Sequence, residues 1–170
     1  MRQRQFVSAL ILPVNAIFTL PASLYFICGR RKSLSLFSSS LAPFVRPLGL
    51  LLIIIGLPLL FSTIRDFIKI GQGTLAPWDP TRKLVVHGVY RYVRNPMISG
   101  VISILFGIAL LMNTVCHLAW AGLFTIANII YMPLSEEPGL ERRFGETYRV
   151  YKQNVPRWIP RLEPWDPTKF

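Results

Sequence analysis

The chain has 170 residues, 52% of them hydrophobic and only 16% charged, with a net charge of +11. A soluble domain of this size carries about 25% charged residues, so the composition argues against a water-soluble globule and for a single domain whose solvent is the bilayer. The cations flank apolar runs and no nucleic-acid-binding motif accompanies them, so nucleic acid is not the expected partner; contact with anionic headgroups and a topology signal account for the charge.

In chain order, Met1-Arg-Gln-Arg-Gln5 precedes an apolar stretch from Phe6 to Cys28 that contains Pro13, Asn15 and Pro21. It lacks a small-x-small cleavage site and is long for a signal core, so it reads as a retained span, kinked or re-entrant. A second apolar stretch runs from about Pro47 to Ile64. The polar segment from Asp66 to Asn95, with Gly71, Gly73, Pro77, Pro80 and Gly88, reads as irregular structure. Apolar runs follow at about Met97 to Met112 and Val115 to Leu134. A span needs roughly 17–25 residues, which the third run meets only marginally. Asn113-Thr114 alone separates the third and fourth runs, which predicts an antiparallel helical hairpin. Arg91 to Pro96 and Ser135 to Pro138 then become neighbours. Beyond Glu136, the recurrence of Leu140, Phe144, Tyr148 and Tyr151 predicts a helix, with Glu141, Arg142, Arg143, Glu146, Arg149 and Lys152 solvated, ended by Pro156 and Pro160.

Cys28 and Cys116 are far apart and show no ligand spacing, so they read as two small buried hydrophobes. His87 and His117 form no ligand pair, and no metal site is expected. If the spans alternate, the N-terminus, the Asp66–Asn95 segment and the C-terminal block share one side, which holds 15 of 19 cations and should be cytoplasmic. Arg30, Arg31, Lys32 and Arg46 fall on the other; a re-entrant first segment would return the Arg30 cluster to the cytoplasm. Pro77-Trp-Asp-Pro-Thr81 recurs as Pro164-Trp-Asp-Pro-Thr168, too short for a repeat architecture, and each Trp suits the headgroup level.

Three groups of residues are candidates for chemistry. Glu136 and Glu137 fall where the fourth run ends, with Pro138 expected to stop the helix. They are either a solvated helix end or a pair facing a cation: Arg91, Arg94 or a ligand. In Gly88 to Pro96, Pro96 suits a first helical turn and Asn95 is an N-cap type. Arg94 and open amides there suit a carboxylate, and Tyr90 and Tyr92 can stack on a purine or face a cation. An interfacial belt of Tyr and Arg is the alternative. Phe144 to Pro156 is either an amphipathic helix on the membrane or a lid.

Taken together, Leu84 to Met97, the Glu136-Glu137 pair and Phe144-Gly-x-x-Tyr-x-x-Tyr ending in Val155-Pro156 resemble the isoprenylcysteine carboxyl methyltransferase family and its phospholipid methyltransferase relatives. The resemblance covers about Gln72 to Pro160. It implies an all-α polytopic membrane protein of about four transmembrane helices, the last two a tight hairpin, with a cytosolic cofactor-binding loop and a C-terminal helix. The chain would be one methyltransferase domain, residues 1–65 supplying N-terminal spans and 66–170 the cofactor-binding and catalytic core. The implied cofactor is S-adenosylmethionine, held by Arg82, Lys83, Leu84, Val85, Tyr90, Arg94, Asn95, Pro96, Met97 and Glu136, with Arg94, Glu136 and Glu137 as catalytic residues. Arg94 suits the cofactor's carboxylate, Glu136 its ammonium or sulfonium side and Tyr90 its adenine. Asn95 stands where the pattern has histidine, which excludes a base there. Met132 and Pro133 stand near where the isoprenylcysteine enzymes carry an arginine, which weakens the case for a prenylcysteine carboxylate.

The expected reaction is in-line methyl transfer to a lipophilic carboxylate, amine or thiol entering from the bilayer, with Glu137 or a water as base for an amine or thiol. Two other readings stand beside it: a nicotinamide-dependent membrane reductase of the sterol reductase type, and a non-enzymatic membrane scaffold subunit.

Overall fold

The computed structural model describes residues 14–28, 35–72 and 81–166. The regular elements among them are helices: α1 (Asn15–Cys28), α2 (Ala42–Gly71), a 3-10 turn (Gly88–Arg91), α3 (Pro96–Met112), α4 (Val115–Phe144) and α5 (Glu146–Asn154). A lone bridge joins Ser35 to Thr114. Two helices, α2 and α4, are long and apolar enough to cross a membrane, with mean hydropathies of 2.3 and 1.5 over their most apolar 18 residues. Only 28% and 17% of those stretches is buried within the chain. Leu48, Leu51, Ile55 and Phe61 on α2, and Leu123, Ile126 and Ile130 on α4, therefore face outward. Such a continuous apolar exterior is stable in lipid and not in water. α1 and α3 are shorter apolar helices.

Glycines at seven-residue spacing set how α2 meets α3. Gly49 packs on Gly107 and Gly56 on Gly100, so the helices run antiparallel. A Cβ built on Gly56 would lie 2.7 Å from the Gly100 carbonyl oxygen, and one on Gly107 2.6 Å from that of Gly49. Lipid tails give no hydrophobic drive for helix pairing, so close backbone approach and dispersion supply it. Ser103 Oγ adds a hydrogen bond to the Leu52 carbonyl at 2.8 Å. Ile64, Met97, Val101, Ile104 and Leu105 fill the seam below, joined by Ile17 and Ala121.

α3 ends on Asn113 in the left-handed region (φ 52°), and the Thr114 side chain caps α4. The Asn113 amide bonds both ways with Phe37, accepting its N–H at 2.9 Å and donating to its carbonyl at 3.0 Å. This end also corrects the reading of the cysteines, for Cys28 and Cys116 form a disulfide with Cα atoms 6.4 Å apart. Their separation of 88 residues concealed the pairing. It arises because α1 packs on α4, where Trp120 Nε1 donates to the Ala16 carbonyl and His117 Nε2 to that of Pro21.

At the opposite end three further expectations change. The helix does not stop at Pro138. α4 passes through a π-turn at Met132–Glu136 and resumes as α-helix at Glu137, the widened turn falling just before Pro138, which cannot donate to the preceding turn. Glu136 and Glu137 therefore lie inside a continuing helix and do not oppose a terminal dipole. The Asp66–Asn95 segment likewise starts as helix, since α2 runs on through a second π-turn, Phe67–Gly71, to a left-handed Gln72. The Phe144-to-Pro156 pattern is two helices, broken at Gly145 (φ 56°). Most of the first Pro-Trp-Asp-Pro-Thr copy, the Arg30–Lys32 cluster and residues 6–13 lie outside the described residues.

The tail after α5 crosses the segment that leads into α3. Arg94 N–H donates to the Pro156 carbonyl (2.9 Å), Arg161 N–H to Tyr92 (3.0 Å) and Trp165 N–H to Arg91 (2.9 Å). Arg91 Nε returns a bond to the Trp165 carbonyl at 2.6 Å. Trp165 is consequently buried against Tyr151 and Val155.

Candidate functional site

The start of α3, the π-turn of α4 and α5 enclose a cavity of about 290 Å³. α2 contributes Phe67; the loop contributes Thr81, Leu84, Val85, Tyr90, Arg94 and Asn95. α4 contributes Tyr131, Ser135, Glu136, Gly139, Leu140, Arg143 and Phe144, and α5 contributes Tyr148 and Tyr151. Of the residues proposed from sequence, Leu84, Val85, Tyr90, Arg94, Asn95 and Glu136 thus line one space. Arg82, Lys83, Pro96, Met97 and Glu137 do not. Arg82 and Lys83 are exposed, and their N–H groups both donate to the Gly71 carbonyl. Pro96 and Met97 are buried under the first turn of α3.

Glu137 sits behind the cavity wall, 3% exposed. Its Oε1 accepts from Arg94 Nη1 (2.9 Å) and Arg157 Nε (2.6 Å), and its Oε2 from Arg157 Nη2 (2.9 Å), with Lys152 Nζ at 3.5 Å. A carboxylate this occupied by cations is a fixed anchor and a poor base. Its hydrogen bond raises the pKa of Arg157 above the usual arginine range; that of Lys152 is raised first by its hydrogen bond to Glu141. Arg157 was invisible in the sequence, since nothing in Val-Pro-Arg spacing reveals a partner 20 residues back.

The geometry leaves Arg94 aimed at the cavity. Its side chain is 9% exposed, Nη1 is engaged by Glu137, and Nε is buried without a hydrogen-bond partner. The Asn95 side chain does not cap α3; its Nδ2 is likewise buried and unpartnered. The Arg94 amide, expected to be open, is taken by Pro156. Arg94 and Asn95 both line the cavity, and each has one side-chain donor that is buried and unpartnered where buried donors are normally satisfied. Glu136 has no hydrogen-bond or ion-pair partner among the described residues, although it too lines the cavity. Unpaired donors on one wall and an unpaired carboxylate on another suit a ligand bearing both charges.

The remaining walls are aromatic. Tyr151 Oη donates to the Tyr90 carbonyl at 2.7 Å, and the Phe67 and Tyr90 rings lie 5.5 Å apart. Burial pushes the Tyr148 phenol up to about 12 and raises those of Tyr90 and Tyr151 as well, so all three stay neutral donors near neutral pH. The stripe Leu140, Phe144, Tyr148 and Tyr151 was legible as an amphipathic pattern, but its face is turned to the cavity and not to lipid.

Comparison with known proteins places the chain in a family. A model of the phospholipid methyltransferase family matches residues 45–147, more than half of the chain. Phosphatidylethanolamine N-methyltransferase 1 of Vanderwaltozyma polyspora is 35% identical over 97 residues, 56% of this chain and 11% of that protein. Phosphatidylethanolamine N-methyltransferase of Saccharomyces cerevisiae is 34% identical over 82 residues, 47% of this chain and 9% of that protein. The matched stretch thus amounts to about a tenth of these relatives' length. No solved structure matches. Of the two branches whose motifs the sequence resembles, the phospholipid one is matched, and the chain belongs to the phospholipid methyltransferase family.

Proposed function

We propose that the chain transfers a methyl group from S-adenosylmethionine to the amine of an ethanolamine-type phospholipid that enters the cavity from the bilayer. One observation carries this reading: Arg94 and Asn95, each with a buried and unpartnered donor, line one cavity with Glu136, which makes no ion pair among the described residues. Those groups fit the cofactor, which bears a carboxylate, an ammonium and a sulfonium. When bound, it supplies an electrophilic methyl on a good leaving group. Arg94 and Asn95 hold the carboxylate, with Arg94 oriented by Glu137, and Tyr90 and Phe67 offer faces for the adenine. Leu84, Val85, Leu140 and Phe144 exclude water.

Glu136 offsets positive charge at the reacting end. An amine acceptor arrives as an ammonium and must shed a proton before it can attack. Glu136 is the carboxylate lining the cavity, so its Oε takes that proton. This reassigns the base expected at Glu137, whose oxygens are both occupied. The amine is preferred to a carboxylate or thiol because the matched relatives are named for phosphatidylethanolamine N-methylation. α1 to α4 serve as four alternating spans, with the cavity at the cation-rich cytoplasmic end. The test is titration of nanodisc-embedded protein with S-adenosylmethionine and, in parallel, NADPH, followed by labelled methyl transfer to phosphatidylethanolamine. Folded protein that binds no S-adenosylmethionine would sink the reading.

A further inference from the structure

Arg143 stands apart from the other cations around the cavity. Arg94 and Arg157 are neutralised by Glu137, and Lys152 lies between Glu137 and Glu141. Arg143 lines the cavity with its outer part exposed; it makes no ion pair within hydrogen-bonding reach among the described residues, and the carboxylate whose charge it offsets from a distance is Glu136. Its contacts are weak: Nη1 lies 3.4 Å from the Thr81 carbonyl, and the guanidinium carbon sits 5.8 Å from the centre of the Phe144 ring. Most of its five donors are therefore available to a ligand.

Its place on α4 is specific. Ser135, Glu136, Gly139 and Arg143 follow one another at helical spacing along the cavity wall. Side chains tilt toward a helix's N-terminus, which draws Arg143 back over the Gly139 turn toward Glu136. A Cβ on Gly139 would meet nothing within 4 Å, so no packing demand explains the glycine, and the space above it is open to a ligand. At the α4 end of this wall nearest the apolar span, Tyr131 lines the cavity and is itself 51% exposed. Along the wall the order is an exposed tyrosine, a carboxylate without an ion pair, a gap and a guanidinium without one, the two charges separated by the gap. A zwitterion whose amine and phosphodiester are two carbons apart has the complementary charges.

We infer that Arg143 is a substrate-recognition residue that binds the phosphodiester of the acceptor lipid while the amine lies toward Glu136. Arg is suited to this because its planar fork grips phosphate oxygens in pairs, which a lysine does not reproduce. The inference rests on the proposed function, and the experiment separates the two. Wild type, Arg143→Ala and Arg143→Lys are assayed in nanodiscs at saturating S-adenosylmethionine against phosphatidylethanolamine and against octadecylamine, a lipid amine without phosphate. Arg143→Ala is expected to raise KM for the phospholipid by about ten- to hundredfold, the range for a lost hydrogen bond to a charged group. The KM for octadecylamine and the affinity for S-adenosylmethionine should hold, and Arg143→Lys should recover only part of the loss. Equal losses on both amines, or lost donor binding with phospholipid KM intact, would overturn the assignment and leave the methyltransferase reading standing. Wild type that methylates neither amine would overturn both. Should wild type take only the phospholipid, a raised phospholipid KM in Arg143→Ala with donor affinity intact supports the assignment, and an unchanged KM refutes it.

Discussion

The α2–α3 seam and the cavity end of the molecule are held together by opposite means. At the seam, side chains are missing: Gly49, Gly56, Gly100 and Gly107 let two backbones touch, and almost no polar group takes part. At the cavity, long charged side chains converge from remote parts of the chain, and Glu137 alone gathers Arg94, Lys152 and Arg157. The seam tolerates no added atom, and the charge cluster tolerates no lost one. The first makes a rigid pair of helices; the second holds a guanidinium still while its Nε keeps no partner. A site that binds a charged ligand beside lipid needs both, because loose helices would admit water and a loose Arg94 would pair with any anion nearby.

Mutations can break this contrast. The largest effect is expected from Glu136→Gln, which should lower the methyl-transfer rate by about 10²–10⁴-fold with unfolding in lipid unchanged, since Glu136 has no ion-pair partner among the described residues. Glu137→Gln should do the reverse in kind: it leaves Arg94 and Arg157 facing a neutral group, costing about 3–5 kcal/mol of stability, and activity should fall with the folded fraction and with donor affinity. Denaturant titration read beside calorimetry separates those losses. Gly56→Val should cost about 1–3 kcal/mol by overpacking while the folded fraction keeps its rate. If Gly56→Val slows the chemistry without loosening the protein, the seam and the site are not the separate devices drawn here.

Smaller effects sharpen the comparison. Burial raises the Tyr148 phenol from 10 to about 12. A group whose pKa is raised on folding contributes stability below its unfolded pKa and loses it as pH climbs through the folded one. The protein should therefore lose stability as pH rises above about 10, and Tyr148→Phe should make that loss shallower without abolishing it, since Tyr90 and Tyr151 are raised as well; an unchanged alkaline limb would mean the phenol is more exposed than the structure shows. Glu146→Gln removes an exposed pair with Arg149 and should shift stability by no more than about 0.5 kcal/mol, a control that calibrates the buried cluster.

What the sequence determined by itself follows from local rules. Apolar runs, the two-residue link at Asn113-Thr114 and the proline at the head of α3 depend on residues close in the chain, and they sufficed to bring Arg94 and Glu136 into one hypothesis. The ordered motifs named the family, and the composition named the solvent. Tertiary structure decided everything that needed two distant segments at once. It joined Cys28 to Cys116, carried α4 past Pro138 through a π-turn, buried Trp165 and drew Arg157 onto Glu137. In doing so it set Glu137 among cations and left Glu136 on the cavity wall. One residue of a helix turns its side chain about 100° from the next, so adjacent carboxylates fall on different walls, and only the packed helices reveal which wall holds the cavity and which holds the cations.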